Sequence, residues 1–248
     1  MPRPARAESP VNLYHVTMRG IGRQLIFEDD ADRKSFLARL KNVLDASGSI
    51  DCLAWCLMVN HVHLLFEGPL QGLSILMRTL GAGYAAYFNA RHDRVGHLFQ
   101  GRFGSEPVMD ERQLLATVRY IHLNPTKAYG IPAAAYSWSS YQELLGGKSF
   151  LANRDRVISL FGDVDFASFH ESYAGDEDGA AVPSRGRIGD DEALRIAISI
   201  ATPHSLSDVK ALPKKERNEL LRRFRSAGLT IKQIERLTSI GRGIIARV

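Results

Sequence analysis

The chain has 248 residues, 45% of them apolar and 24% charged, the balance of an ordinary globular protein with enough apolar surface for a core. That balance excludes collagen-like and disordered classes, and no apolar run approaches the roughly 18 residues of a membrane span. The formal charge of +5 is uneven: residues 205–248 carry eleven Lys and Arg against four Asp and Glu, and residues 151–204 carry five against ten.

A tail so basic is either the footprint of a phosphate-backbone contact or a solvated helix face. Met1–Glu8 lacks an apolar h-region, so no secretory signal is expected. Asn12–Arg19 is predicted to be the first strand, followed by a turn at Gly20-Ile21-Gly22. Over Asp30–Ala46 the residues Phe36, Leu37, Leu40, Val43 and Leu44 form one stripe at helical spacing, with Asp29 and Asp30 near its start and Gly48 at its end. Ile50–Val59 and His61–Glu67 are predicted as two strands joined by a tight turn near Asn60. Cys52 and Cys56 stand four apart in the first of these. They form neither a C-x-x-C pair nor a disulfide framework, so a reducing, cytoplasmic setting is expected.

Leu73–Arg91 is predicted as a second helix, and Leu98–Met109 as a strand or bent strand. Asp110–Leu123 is predicted as a third helix, with Asp110 as cap, Gln113 at capping-box spacing and Asn124-Pro125 closing it. The order β-α-β-β-α-β-α predicts an α+β fold, a ferredoxin-like antiparallel sheet with helices on it. Four regions are expected: a catalytic domain over 1–145, an irregular and helical extension over 146–175, a linker over 176–190, and a small all-α domain over 191–248.

Two segments carry chemistry. In a strand, side chains alternate faces, so His61, His63 and Leu65 share one face while Val62, Leu64 and Phe66 share the other, which is wholly apolar. Two imidazoles side by side on a rigid element suit a divalent cation, and two hydrogen-bonded histidines are the plainer alternative. In Arg119-Tyr120-Ile121-His122-Leu123-Asn124-Pro125, Tyr120 and Asn124 lie four apart, on one face of the last helical turn. A phenol is a weak nucleophile until a metal or base favours its ionised form. Taken alone, this segment reads first as a packed helix residue followed by a helix cap.

N-H-V-H-L-L followed some sixty residues later by R-Y-I-H-L-N-P resembles the IS200-like, single-tyrosine HUH transposases, and within them the REP-associated branch most closely. The resemblance also takes in Y-H-V-T-M-R-G at Tyr14–Gly20, H-L-F-Q-G-R-F at His97–Phe103 and W-S-S-Y at Trp138–Tyr141, and runs from about residue 12 to 142. It implies that His61 and His63 bind Mg²⁺ or Mn²⁺, that Asn124 supplies a third ligand, and that Tyr120 is the nucleophile. It further implies a 5′-phosphotyrosine link, a released 3′-hydroxyl, and single-stranded DNA carrying a short hairpin as substrate. An alternative is a domesticated DNA-binding regulator whose core no longer turns over. A histidine phosphoesterase is disfavoured, because position 65 is Leu and neither histidine opens an H-x-[ST] pair.

Arg19, Arg23, Arg102 and Arg119 are expected phosphate contacts, an arginine fork being suited to that geometry. Tyr84 and Tyr87, on a helix with Leu76, Leu80 and Phe88 at core spacing, are expected to pack and not to react. His15 is expected to be a strand residue with no chemistry, His122 structural or substrate-touching, and Trp138 a core anchor. At the C-terminal end, Thr230 with Gln233 at capping-box spacing, then the stripes Ile231, Ile234, Leu237 and Ile240, Ile244, Ile245, predict a helix-turn-helix. Arg242–Val248 would be its recognition helix and give duplex DNA as a second partner. Lys214, Lys215, Arg222 and Arg223, on the helix before it, would grip backbone. Neither a monomer nor a homodimer is singled out.

Overall fold

Alternation along the strands divides the molecule into two faces, as a computed structural model describing residues 6–171 and 190–248 shows. β1 (Leu13–Arg19), β2 (Asp51–Met58), β3 (His61–Glu67) and β4 (Gly104–Val108) form one antiparallel sheet in the order β2-β3-β1-β4. Tyr14, Val16 and Met18 of β1 and Val62, Leu64 and Phe66 of β3 point toward α1 (Asp30–Ser47) and α2 (Leu70–Arg91), meeting Phe36, Leu40, Leu76, Leu80 and Phe88. Leu13 and Leu65 point the other way, onto Leu114, Val118 and Ile121 of α3 (Glu111–Tyr129). Each large side chain buried this way contributes about 1.5–3 kcal/mol. The expected α+β sheet with its helices is therefore the fold, and His61 and His63 lie on the face covered by α3.

Local chemistry sets most boundaries. The Asp29 side chain accepts from the Asp32 amide to start α1, and left-handed Gly48 ends it. Asp110 accepts from the Gln113 amide to start α3, and the Gln113 side chain returns the bond to the Met109 amide. Two expectations fail. Only residues 104–108 of the 98–109 run are strand, because Gly96 and Gly101 take positive φ (98° and 74°) and bend the chain before it. Pro107 is tolerated because β4 is an edge strand. Nor does Asn124-Pro125 end α3. The helix runs through Pro125 to left-handed Gly130, losing only the bond residue 125 would donate to the Ile121 carbonyl. Ala128 and Tyr129 pack onto the core beyond it and hold the extra turn in place.

The far edge of the sheet is covered by the W-S-S-Y segment: Leu57 N donates to the Trp138 carbonyl (2.8 Å) and Ser140 N to the Trp55 carbonyl (2.9 Å). Trp138 is partly buried and packs against both cores, as a core anchor should. Tyr84 is fully buried with its hydroxyl on the Ile26 carbonyl, and Tyr87 packs beside it; neither is placed for chemistry. The extension packs onto the sheet's α3 side. α4 (Tyr141–Leu145), α5 (Arg154–Ile158) and α6 (Phe166–Glu171) join the α3 face through Tyr141, Val157 and Phe166, with Phe161 of the α5–α6 connection beside them.

His122 and His170 tie this extension down. His170 Nδ1 donates to the Phe166 carbonyl (2.8 Å), so its Nε2 accepts from His122 Nδ1 (2.9 Å), and His122 Nε2 accepts from the Ser140 hydroxyl (2.9 Å). Burial, and for His122 the neighbouring His170, hold both imidazoles below their ordinary pKa. The folded state thus resists protons that the unfolded chain takes up below about pH 6.5. Stability should be full above that pH and fall as pH drops, His122 supplying about 1.4 kcal/mol per pH unit. Urea titrations at pH 7 and pH 5 check this. A His122→Asn variant should start less stable and show a shallower acid loss, and an unchanged slope would remove His122 from the account.

A second core belongs to α7 (Asp190–Ala201), α8 (Lys214–Ser226), α9 (Ile231–Thr238) and α10 (Arg242–Ile245), which bury Leu194, Leu221, Phe224, Ile234, Leu237 and Ile245 together. Thr230 and Gln233 make the reciprocal capping box at the start of α9. α10 is a single turn, shorter than the recognition helix expected over 242–248. The module rests on the first domain through Val59 and Tyr129, through Lys210 on Glu28 (2.7 Å), and through Asp190, which takes both Arg23 (3.4 Å) and Arg236 (3.3 Å). Residues 172–189, which include nearly all of the expected linker, lie outside the described residues. None of the described helices is long and apolar enough to cross a membrane.

Candidate active site

The hairpin between β2 and β3 turns at Val59-Asn60, and Asn60 is held on three sides. Gly20 N donates to its carbonyl (2.9 Å), and its own Nδ2 donates to the Arg23 carbonyl (3.3 Å). Its Oδ1 is left facing His61 Nδ1 at 2.6 Å. Position 20 has to be glycine for this approach, since a Cβ there would lie 2.2 Å from the Gln24 carbonyl oxygen. An amide oxygen only accepts, so His61 carries its proton on Nδ1 and keeps a lone pair on Nε2.

The His61 and His63 rings are 4.9 Å apart and nearly perpendicular. His63 Nδ1 bonds His15 Nε2 at 2.9 Å, and His63 Nε2 is buried with no hydrogen-bond partner. Burial first, then repulsion from Arg19 and Arg23, pushes His61 down to about 3. Burial, then His61 and His15, lowers His63 as well. Both imidazoles are therefore neutral near pH 7, the form that ligates a metal. A buried ring nitrogen with its lone pair unused, beside a second imidazole with a free lone pair, fits a divalent cation. Among the described residues no three His, Cys, Asp or Glu converge to enclose a metal by themselves, so the pair would bind in an open arrangement.

α3 brings Tyr120 to this pair. Its ring meets His63 edge-on at 5.6 Å and His15 at 5.7 Å, with the Lys127 ammonium 5.3 Å away. The residue stays 42% exposed, enough for a substrate phosphate to reach it. One turn on, Asn124 donates from Nδ2 to the Tyr120 carbonyl (2.8 Å), a bond in which its Oδ1 takes no part. His122 points off this face into the core, as expected.

The arginines divide. Arg19 is exposed and lies directly opposite His61 in the β1–β3 register. Arg102 is exposed in the 96–103 segment, beside an apolar groove of about 760 Å³ lined by Met18, Met77, Phe99 and Phe103. Arg23 instead pairs with Asp190, and Arg119 lies over the Phe169 ring and donates to its carbonyl, so neither is presented as a bare phosphate fork. Lys214, Lys215, Arg222 and Arg223 are exposed on α8, and Arg242 is exposed but paired with Glu235. Sequence reasoning missed His15 and Asn60. Asn60 stood in the N-H-V-H motif but was read only as a turn, and His15 gave no signal without the strand pairing that sets it beside His63.

Comparisons with known proteins bear on this geometry. Residues 11–124 match the family model described as "Transposase IS200 like". Over this stretch the chain is similar to the IS200-like transposases. The matched span starts just before β1 and ends on Asn124, so it takes in the whole sheet, both histidines and Tyr120. The chain is also similar to a solved structure of a REP-associated tyrosine transposase bound to a REP hairpin, with 17% identity, a TM-score of 0.47, and 58% of this chain and 84% of that one covered. No curated protein matches the chain.

Proposed function

We propose that this chain is an IS200-like transposase that cleaves and rejoins single-stranded, hairpin-bearing DNA through a phosphotyrosine link at Tyr120, with Mg²⁺ or Mn²⁺ held by His61, His63 and the Asn124 amide oxygen. One observation carries the reading: the Tyr120 ring lies edge-on to His63, whose Nε2 is buried and unpaired. A bound cation would polarise the scissile phosphate. The rest falls to the chain's own residues. The sheet holds both imidazoles neutral and oriented, α3 holds the phenol beside them, and Arg19, exposed and opposite His61, would meet a backbone phosphate. Attack by Tyr120 Oη would join it to the 5′ phosphate and break the bond to the 3′ oxygen, which leaves as a hydroxyl by taking a proton from solvent as the phenol gives one up. Attack by a second 3′ hydroxyl reverses the step without ATP, because the link retains the phosphodiester's energy.

The helical module over 190–248 is proposed to grip DNA backbone through Lys214, Lys215, Arg222 and Arg223. Its single-turn α10 offers less to a major groove than a full recognition helix would, and Arg242 is part of that turn. To test the reading, labelled hairpin and unstructured oligonucleotides are incubated with the protein and Mn²⁺ or Mg²⁺. An SDS-stable adduct that disappears with chelator is expected, and disappears equally in a His61→Ala, His63→Ala double variant. Adduct that persists with chelator would overturn the metal requirement. Binding without adduct on every oligonucleotide would favour the regulator.

A further inference from the structure

We infer that His15, held by Glu106, is a positioning residue that sets which nitrogen of His63 is offered to the metal. The inference rests on the proposed metal site. β1 lies between β3 and β4, with His15 directly opposite Glu106 on one side and diagonal to His63 on the other. His15 Nδ1 stands 3.6 Å from a Glu106 carboxylate oxygen, and His15 Nε2 stands 2.9 Å from His63 Nδ1.

The nearby carboxylate biases the proton order along this chain. Glu106, 3.6 Å away, attracts a proton on the nearer nitrogen, so we take His15 to carry its proton on Nδ1. His15 Nε2 is then an acceptor, and His63 Nδ1 must be the donor of the 2.9 Å bond. His63 Nε2 is left with its lone pair, and this is the buried atom with no partner in the protein. If His15 took the other tautomer, its Nε2 proton would face His63 Nδ1, and the His63 proton would sit on Nε2, where a metal belongs. The two rings also stack at 5.2 Å with an interplanar angle of 17°, and His15 touches Tyr120 edge-on, so one side chain orients both the ligand and the nucleophile's ring. His61 has its own lock in Asn60, and His15 is the counterpart for His63. Outer partners of this kind typically change metal affinity 10–100-fold when removed.

Two readouts avoid activity altogether. In the metal-free protein near pH 7.5, long-range ¹H–¹⁵N correlation spectra should show His63 in the Nδ1–H form. A His15→Phe variant, which keeps a stacking ring but accepts no bond, should move His63 toward Nε2–H. Titration with Mn²⁺ followed by calorimetry or electron paramagnetic resonance should show affinity falling roughly 10-fold or more in His15→Phe. His15→Gln, whose amide oxygen can accept in place of Nε2, should recover most of it. Glu106→Ala, at an exposed position that leaves the core untouched, should give a smaller loss of a few fold. Near-ultraviolet circular dichroism confirms folding, and Glu106→Ala carries the test if His15→Phe does not fold. An Nε2–H tautomer in the wild type, or His15→Phe and Glu106→Ala affinities equal to wild type, overturns the inference. Wild type binding Mn²⁺ no better than the His61→Ala, His63→Ala double variant fails the metal-site reading instead, and the tautomer measurement still decides the role of His15.

Discussion

A Tyr120→Phe variant should lose covalent adduct formation by on the order of 10⁴-fold or more, to the limit of detection, while folding normally. The magnitude follows from removing the proposed nucleophile with no other group to replace it. Tyr84, the other tyrosine of interest, is fully buried with its hydroxyl on the Ile26 carbonyl and cannot substitute. The fold should be spared because the Tyr120 ring contacts to His15 and His63 are those of an aromatic edge, which phenylalanine keeps, and because the residue is partly exposed. Thermal melting within about 0.5 kcal/mol of wild type is expected. Binding of hairpin DNA, read by gel shift or fluorescence anisotropy, should change little. Adduct from Tyr120→Phe at wild-type level would transfer the nucleophile's role to another residue and remove the central element of the mechanism.

The largest effect on stability is expected at Asp32. Its carboxylate is fully buried and accepts from the Glu28 amide (2.8 Å), from His92 Nε2 (2.9 Å) and from the Arg91 guanidinium. These bonds join the loop before α1 to the C-terminal end of α2, so one side chain closes the α1–α2 layer over its half of the sheet. Asp32→Ala leaves the Glu28 amide and His92 without their acceptor, whereas Arg91 keeps Asp29. The loss should be about 3 kcal/mol, or about 10 °C in Tm for a domain of this size. Asp45→Ala is the control: it breaks an exposed pair with Lys41 and should cost under about 0.5 kcal/mol. Equal losses at the two positions would mean that burial of the Asp32 carboxylate contributes nothing.

Local pattern determined a good deal of this protein. The 3.6-residue stripe over Phe36–Leu44, the cap at Asp110 with Gln113, and the capping box of Thr230 and Gln233 each depend on residues within one helical turn, so they form as neighbouring residues dictate. The strict alternation of His61-Val62-His63-Leu64-Leu65-Phe66 likewise placed the two imidazoles on the face away from Val62 and Phe66, whatever that face meets. Tyr120 was singled out by its motif, and the family match covers it.

Tertiary structure decided the rest, because the deciding partners are far apart in the chain. Pro125 would end an isolated helix, yet α3 continues because packing beyond it outweighs one lost hydrogen bond. Arg23 and Arg119 are cationic by residue type, but Asp190 and Phe169, brought in from 167 and 50 residues away, give them other contacts. His15 looked inert in its own strand. Only the order β3-β1-β4 sets it between Glu106 and His63, since a strand's neighbours are fixed by the register of the whole sheet and not by its own residues.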